Sequence, residues 1–170
     1  MDEDLLPDQT AILKMVWHPA HYELNELSGA AFAKADLVPK IDKRDGKLRF
    51  VSVDEKLLAS KAAVDKRIAD QGEKSPEKFQ DARFLEYTCG TIRAMKHTNG
   101  ETPLDVRPER EQCNIAHCGI HNTSTVQKSN REKEAFADDL RTLLLTPGSF
   151  ETIAYKELFP AVDDGTAAPN

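Results

Sequence analysis

Cys113-Asn114-Ile115-Ala116-His117-Cys118-Gly119-Ile120-His121 is the densest run of reactive side chains in the chain, and the backbone it adopts decides the fold. As a strand, it places Ile115, His117, Gly119 and His121 on one face and Asn114, Ala116, Cys118 and Ile120 on the other. Two imidazoles then flank a gap made by glycine, which could admit a ligand or another backbone. As a helix, it lines up Cys113, His117 and His121 at steps of four, a spacing that can present metal ligands to an ion such as zinc. The strand is favoured. Gly119 and the β-branched isoleucines weaken a helix, and the charged loop Pro108–Gln112 offers no clean cap for one.

The flanking segments supply partners for such a strand. Ala11–Trp17 is a short apolar run closed by His18-Pro19, which suits a buried strand. Leu48–Val53 follows the turn Asp42-Lys43-Arg44-Asp45-Gly46 and reads as a second strand, with Pro103–Val106 as a third. Ser52-Val53-Asp54-Glu55 has the spacing of a capping box and predicts a helix over Asp54–Gln71, with Gly72 just past its end. In that helix Leu57, Val64 and Ile68 share one side, while Lys61/Asp65 and Lys66/Asp70 are opposite charges four apart. A second capping box, Ser129-Asn130-Arg131-Glu132, opens a helix over Asn130–Leu145. Its core stripe is Phe136, Leu140, Leu143 and Leu144, its exposed side holds Asp138 and Arg141, and Pro147-Gly148 stops it.

Shorter elements are less sharply defined. Leu27–Ala35 and Thr91–Lys96 allow short helices, and Phe150–Phe159 a docking helix. Ser75-Pro76 resembles a helix start, but Phe79–Thr88 fits helix and strand equally. The expected architecture is α+β: a mainly antiparallel sheet with two principal packed helices. It spans residues 11–160 as one domain, between an acidic flexible tail at 1–10 and a disordered tail at 161–170.

Composition agrees with one folded body. The 170 residues are 39% hydrophobic and 31% charged, and the apolar ones fall in periodic blocks. A net charge of −6 disfavours binding to a phosphate backbone, which depends on Lys and Arg. No apolar run approaches a bilayer span and Met1–Thr10 lacks a secretion signal, so the expected location is cytoplasmic. Cys89, Cys113 and Cys118 are an odd number, expected to be thiols or ligands and not a disulfide framework.

Asn114, His117 and His121 are the candidate catalytic residues, since imidazoles exchange protons near neutral pH. Cys113, His117 and His121 are the alternative metal set, with zinc as the ion, and His18 and His21 could complete a four-histidine site. A thiol nucleophile, Cys113 or Cys118, is a weaker option, because Cys118 and His117 point to opposite faces of a strand. His-Glu-x2-His, paired Cys-x2-Cys, Gly-x-Gly-x2-Gly, Walker and Gly-x-Ser-x-Gly motifs do not occur, and no cofactor is expected.

Three patterns, Ser28-Gly29-Ala30-Ala31-Phe32, Ser52-Val53-Asp54 and Asn114-Ile115-Ala116-His117, give the chain a resemblance. It resembles a loose set of short uncharacterised bacterial proteins, over its middle two thirds. That set has proline where Ile115 stands and a small residue where Cys118 stands. The resemblance implies Asn114 and His117 as the functional pair and carries no activity. Lacking a complete catalytic signature, the chain is expected to be a non-catalytic binding or accessory module acting with a protein partner. The alternatives are a small His-dependent hydrolase or transferase acting on a phosphate ester or nucleotide, and a metal-binding domain.

Overall fold

The computed structural model describes residues 5–18, 21–23, 26–74, 81–146 and 152–161. In chain order the elements are β1 (Ala11–His18), the small hairpin β2 (Tyr22–Glu23) and β3 (Glu26–Leu27), α1 (Lys34–Leu37), β4 (Val51–Glu55) and α2 (Lys61–Lys74). Then come β5 (Asp81–Thr88), α3 (Cys89–Arg93), β6 (Leu104–Pro108), β7 (His117–Asn122), α4 (Asn130–Leu145), β8 (Ile153–Ala154) and α5 (Tyr155–Leu158). Six strands form one antiparallel sheet in the order β6-β7-β4-β1-β5-β8, so the fold is α+β as expected.

β1 is buried on both faces, which explains its mostly apolar run. Ile12 and Val16 join Val51, Val53, Leu85, Cys118 and Ile120 in the larger core, closed by Leu37 of α1 and by Phe136, Leu140 and Leu144 of α4. Leu13 and Met15 face the other way, onto Phe84 and onto Val64 and Ile68 of α2, with Tyr155 and Leu158 of α5 beside them. Helices therefore cover both sides of the middle of the sheet. At the edge strand β6, the Val106 N–H donates to Asp105 Oδ1 at 2.8 Å and its carbonyl accepts from Arg93 Nη2 at 3.0 Å. Side chains thus occupy backbone groups that would otherwise invite another strand.

The helix over Asn130–Leu145 has the expected bounds, because both halves of its capping box form: Ser129 Oγ accepts from Glu132 N at 3.2 Å and Glu132 accepts from Ser129 N at 2.9 Å. Its outer side departs from expectation. Asp138 and Arg141 are half-buried, Asp138 pairing with Lys34 at 3.3 Å and with Arg141 at 2.9 Å, so this side packs against the start of α1.

The helix predicted over Asp54–Gln71 starts seven residues later, at Lys61. Ser52 to Glu55 lie in β4, and the first turn is capped instead by Ser60, whose Oγ accepts from Ala63 N at 3.2 Å. Gly72 lies inside the helix, and Leu57 is in the preceding turn. The pairs Lys61/Asp65 and Lys66/Asp70 do form, at 2.7 and 2.6 Å.

The second strand runs over Val51–Glu55, not Leu48–Val53, because Leu48 instead bridges Ile41 in a small arm closed by Gly46 at φ 72. Likewise β6 and β7 lie one or two residues beyond Pro103–Val106 and Ile115–His121. The ambiguous Phe79–Thr88 stretch is strand from Asp81 on, and Thr91–Lys96 is replaced by α3 at Cys89–Arg93. Leu27–Ala35 resolves into a single 3-10 turn at Gly29–Ala31 and the start of α1.

Phe150–Phe159 holds β8 and α5 where it is described. The start of the expected acidic tail lies outside the described residues; in its described part Leu6 is buried and Asp8 pairs with Arg93 at 2.7 Å. Ser75-Pro76, Pro147-Gly148 and residues 162–170 lie outside the described residues. No helix of the described residues is long and apolar enough to cross a membrane.

Candidate functional site

β7 is a strand, and its alternation places His117, Gly119 and His121 together while Cys118 and Ile120 enter the larger core. The expected gap over Gly119 is filled by the Phe50 side chain. A Cβ on Gly119 would lie 2.6 Å from Phe50 Cδ2 and 2.8 Å from His121 Nε2. The Phe50 ring centroid is 5.7 Å from that of His117 and 5.1 Å from that of His121. Both histidines are only 7% exposed. Gly119→Ala is therefore expected to cost about 1–3 kcal/mol through overpacking, measured by urea denaturation. A neutral effect would mean that Phe50 leaves the site readily.

Each imidazole is held from the loop before the strand. His117 Nδ1 lies 3.0 Å from the Glu109 carbonyl oxygen and 3.3 Å from Glu111 Oε1. A carbonyl only accepts, so Nδ1 is the donor in this bond. His121 Nε2 lies 3.0 Å from Glu109 Oε1, but off the line of a hydrogen bond, and is otherwise buried without a partner. Burial lowers the His121 pKa, against the opposing pull of Glu109.

Asn114 uses both ends of its amide within the protein. Its Nδ2 donates to Asp54 Oδ1 at 2.8 Å and its Oδ1 accepts from Ala116 N at 3.2 Å. Asp54 in turn takes both Nη groups of Arg67, at 2.7 and 3.0 Å, with its side chain 5% exposed. This buried network ties β4, α2 and the start of β7 together. Sequence reasoning placed Asp54 in a helix cap and so missed it.

The other reactive residues are dispersed. Cys118 is buried, and desolvation pushes its thiol up to about 11; the same holds for Cys89. Cys113 is exposed and lines an open groove of about 240 Å³ with Lys66, Arg67, Asp70 and Glu111. It does not share a helix face with His117 and His121. His18 belongs to β1, not to the following loop, and His21 packs its ring against Trp17 at a centroid distance of 3.8 Å. His21 follows in the turn after β1, and β4 lies between β1 and β7. Among the described residues, no group of three or more His, Cys, Asp or Glu side chains is arranged to hold a metal ion.

Three aliphatic side chains also stand exposed on the two loops at this end, alongside the exposed polar residues Glu111 and Gln112. The β4–β7 register extends through Glu55 N–H to the Ala116 carbonyl at 2.8 Å, which sets the turn after β4 beside Ile115. Leu57 is 91% exposed, Ile115 61% and Leu58 38%. Arg110 braces both loops, donating to Glu55 and to the Ile115 carbonyl, each at 2.6 Å. The sequence signal for this patch was Ile115 itself, out of phase with the buried isoleucine of β7.

Fold and site together define an α+β domain with a sealed histidine-bearing strand and an aliphatic end face. The chain matches no family model, no curated protein and no solved structure.

Proposed function

We propose that this protein is a non-catalytic binding module that acts with a protein partner, and that the partner contacts the end face formed by Leu57, Leu58 and Ile115. The observation that supports this reading is the exposure of three aliphatic side chains on two loops braced by Arg110. Exposed large apolar residues gathered at one place mark interaction surfaces, whereas scattered single ones do not. The burial of His117 and His121 under Phe50 supports the non-catalytic half, since a general base must reach the proton it removes.

The test is a photo-crosslinking amino acid at position 57 of the full chain, in the cells that naturally make it. The expected result is one discrete crosslinked product that disappears in the Ile115→Asp background and survives Leu48→Asp, a change on the exposed arm elsewhere. No discrete product, or one insensitive to Ile115→Asp, would overturn the proposal.

A further inference from the structure

The arm between α1 and β4 is a two-stranded hairpin closed by its own backbone bonds. The Arg49 N–H donates to the Lys40 carbonyl at 3.0 Å, the Asp42 N–H to the Lys47 carbonyl at 2.7 Å, and the Gly46 N–H to the Asp42 carbonyl at 2.8 Å. Ile41 therefore stands directly across from Leu48, in the kind of antiparallel pair whose side chains lie closest. Alternation puts these two on one face of the arm and Lys40, Asp42, Lys47 and Arg49 on the other. The aliphatic face is open, with Ile41 64% and Leu48 49% exposed. Both ends of the arm are anchored: Leu37 and Val38 are buried before it, and Phe50 after it packs over Gly119.

The charges of the arm are sorted as well. From Lys40 to Arg49 there are five cations and two carboxylates, a local charge of +3 in a chain of −6. Both carboxylates are taken up by the turn. Asp42 accepts from Arg44 N at 2.9 Å and pairs with Arg44 Nη2 at 2.7 Å, and Asp45 Oδ1 accepts from Lys47 N at 3.0 Å. Lys40, Lys43 and Lys47 are exposed and make no ion pair among the described residues, and the Arg44 side chain is 87% exposed. Arg49 is half-buried at the base of the arm, with Asp36 and Asp42 on an open cavity of about 280 Å³.

We propose that this arm is a membrane-surface contact: its lysines meet the headgroups of an anionic phospholipid bilayer while Ile41 and Leu48 enter the boundary with the acyl chains. An amphipathic element with one apolar and one basic face lies in that interface, its long Lys and Arg stems reaching the phosphates. The aliphatic pair decides among polyanions. A nucleic-acid backbone is met by cations alone and its bases by stacking on aromatic rings, and residues 40–48 hold no aromatic side chain. A protein partner needs a matching pocket for an exposed aliphatic pair, whereas a fluid bilayer accommodates it without one. The net negative charge of the chain does not oppose this contact, because exposed charges more than about 8 Å apart are largely screened at physiological ionic strength. The surface meets the charge of the arm itself. The end face at Leu57, Leu58 and Ile115 shares no residue with the arm.

The test floats the full chain with vesicles of phosphatidylserine and phosphatidylcholine in equal amounts. The expected result is association that weakens as salt is added and is lost on phosphatidylcholine alone. Lys43→Gln and Lys47→Gln should each lower the partition coefficient about fivefold, the effect of one cation near an anionic surface. Leu48→Ser should lower it about tenfold. All three positions are exposed, so the melting curves should not change. Lys96→Gln, at an exposed lysine outside the arm, should leave the partition as it is. No association with the anionic vesicles would overturn the proposal. Association that Leu48→Ser leaves intact, or that Lys96→Gln weakens as much as the arm variants do, would also overturn it. So would equal affinity for duplex DNA or for polyglutamate.

Discussion

Asp54→Ala is expected to destabilise the protein by about 3 kcal/mol, read as a lower urea midpoint at unchanged slope. The substitution leaves Arg67 without its paired carboxylate and strips Asn114 Nδ2 of its acceptor. Removing one partner of a buried ion pair costs about 3–5 kcal/mol, and the lower end applies because the Arg67 side chain is 24% exposed. Replacing both charged partners by apolar residues should recover much of the loss, since the penalty lies in the stranded charge. A loss below about 1 kcal/mol would mean that the network linking β4, α2 and the start of β7 carries little of the fold.

Leu140→Ala should cost about 2–5 kcal/mol, the range for truncating a buried leucine. Leu140 is fully buried on α4 in the larger core, which also holds Phe136 and Leu144 of α4, Leu37 of α1 and the strand residues Val53 and Ile120. The loss is the transfer free energy of the removed methyl groups plus that of the cavity they leave. A loss well under 1 kcal/mol would place α4 at the periphery.

These two residues also show how far the chain could be read without its structure. Leu140 was legible because α4 is specified locally: a cap at Ser129, its reciprocal Glu132 and a stripe at helical spacing all lie within one segment. β1 was legible for the same reason, as an apolar run bounded by a proline. Asp54 was not legible, because Ser52-Val53-Asp54-Glu55 carries a local helix signal that distant partners override. Arg67 takes the Asp54 carboxylate and Arg110 that of Glu55, while β7 pairs the backbone.

The same division runs through the site. That His117, Gly119 and His121 share a face follows from strand alternation alone and was read correctly. That Phe50 occupies the space above Gly119 depends on a contact 69 positions away in sequence, which no local pattern encodes.

The central claim is that the imidazole of His117 belongs to the packed interior while the neighbouring Ile115 belongs to a free surface. Equilibrium denaturation of His117→Ala and Ile115→Asp, side by side, tests it most directly. The account predicts a loss of about 1–3 kcal/mol for His117→Ala, which removes a buried bonded group, and a change within about 0.5 kcal/mol for Ile115→Asp. An unchanged His117→Ala together with a strongly destabilised Ile115→Asp would contradict it.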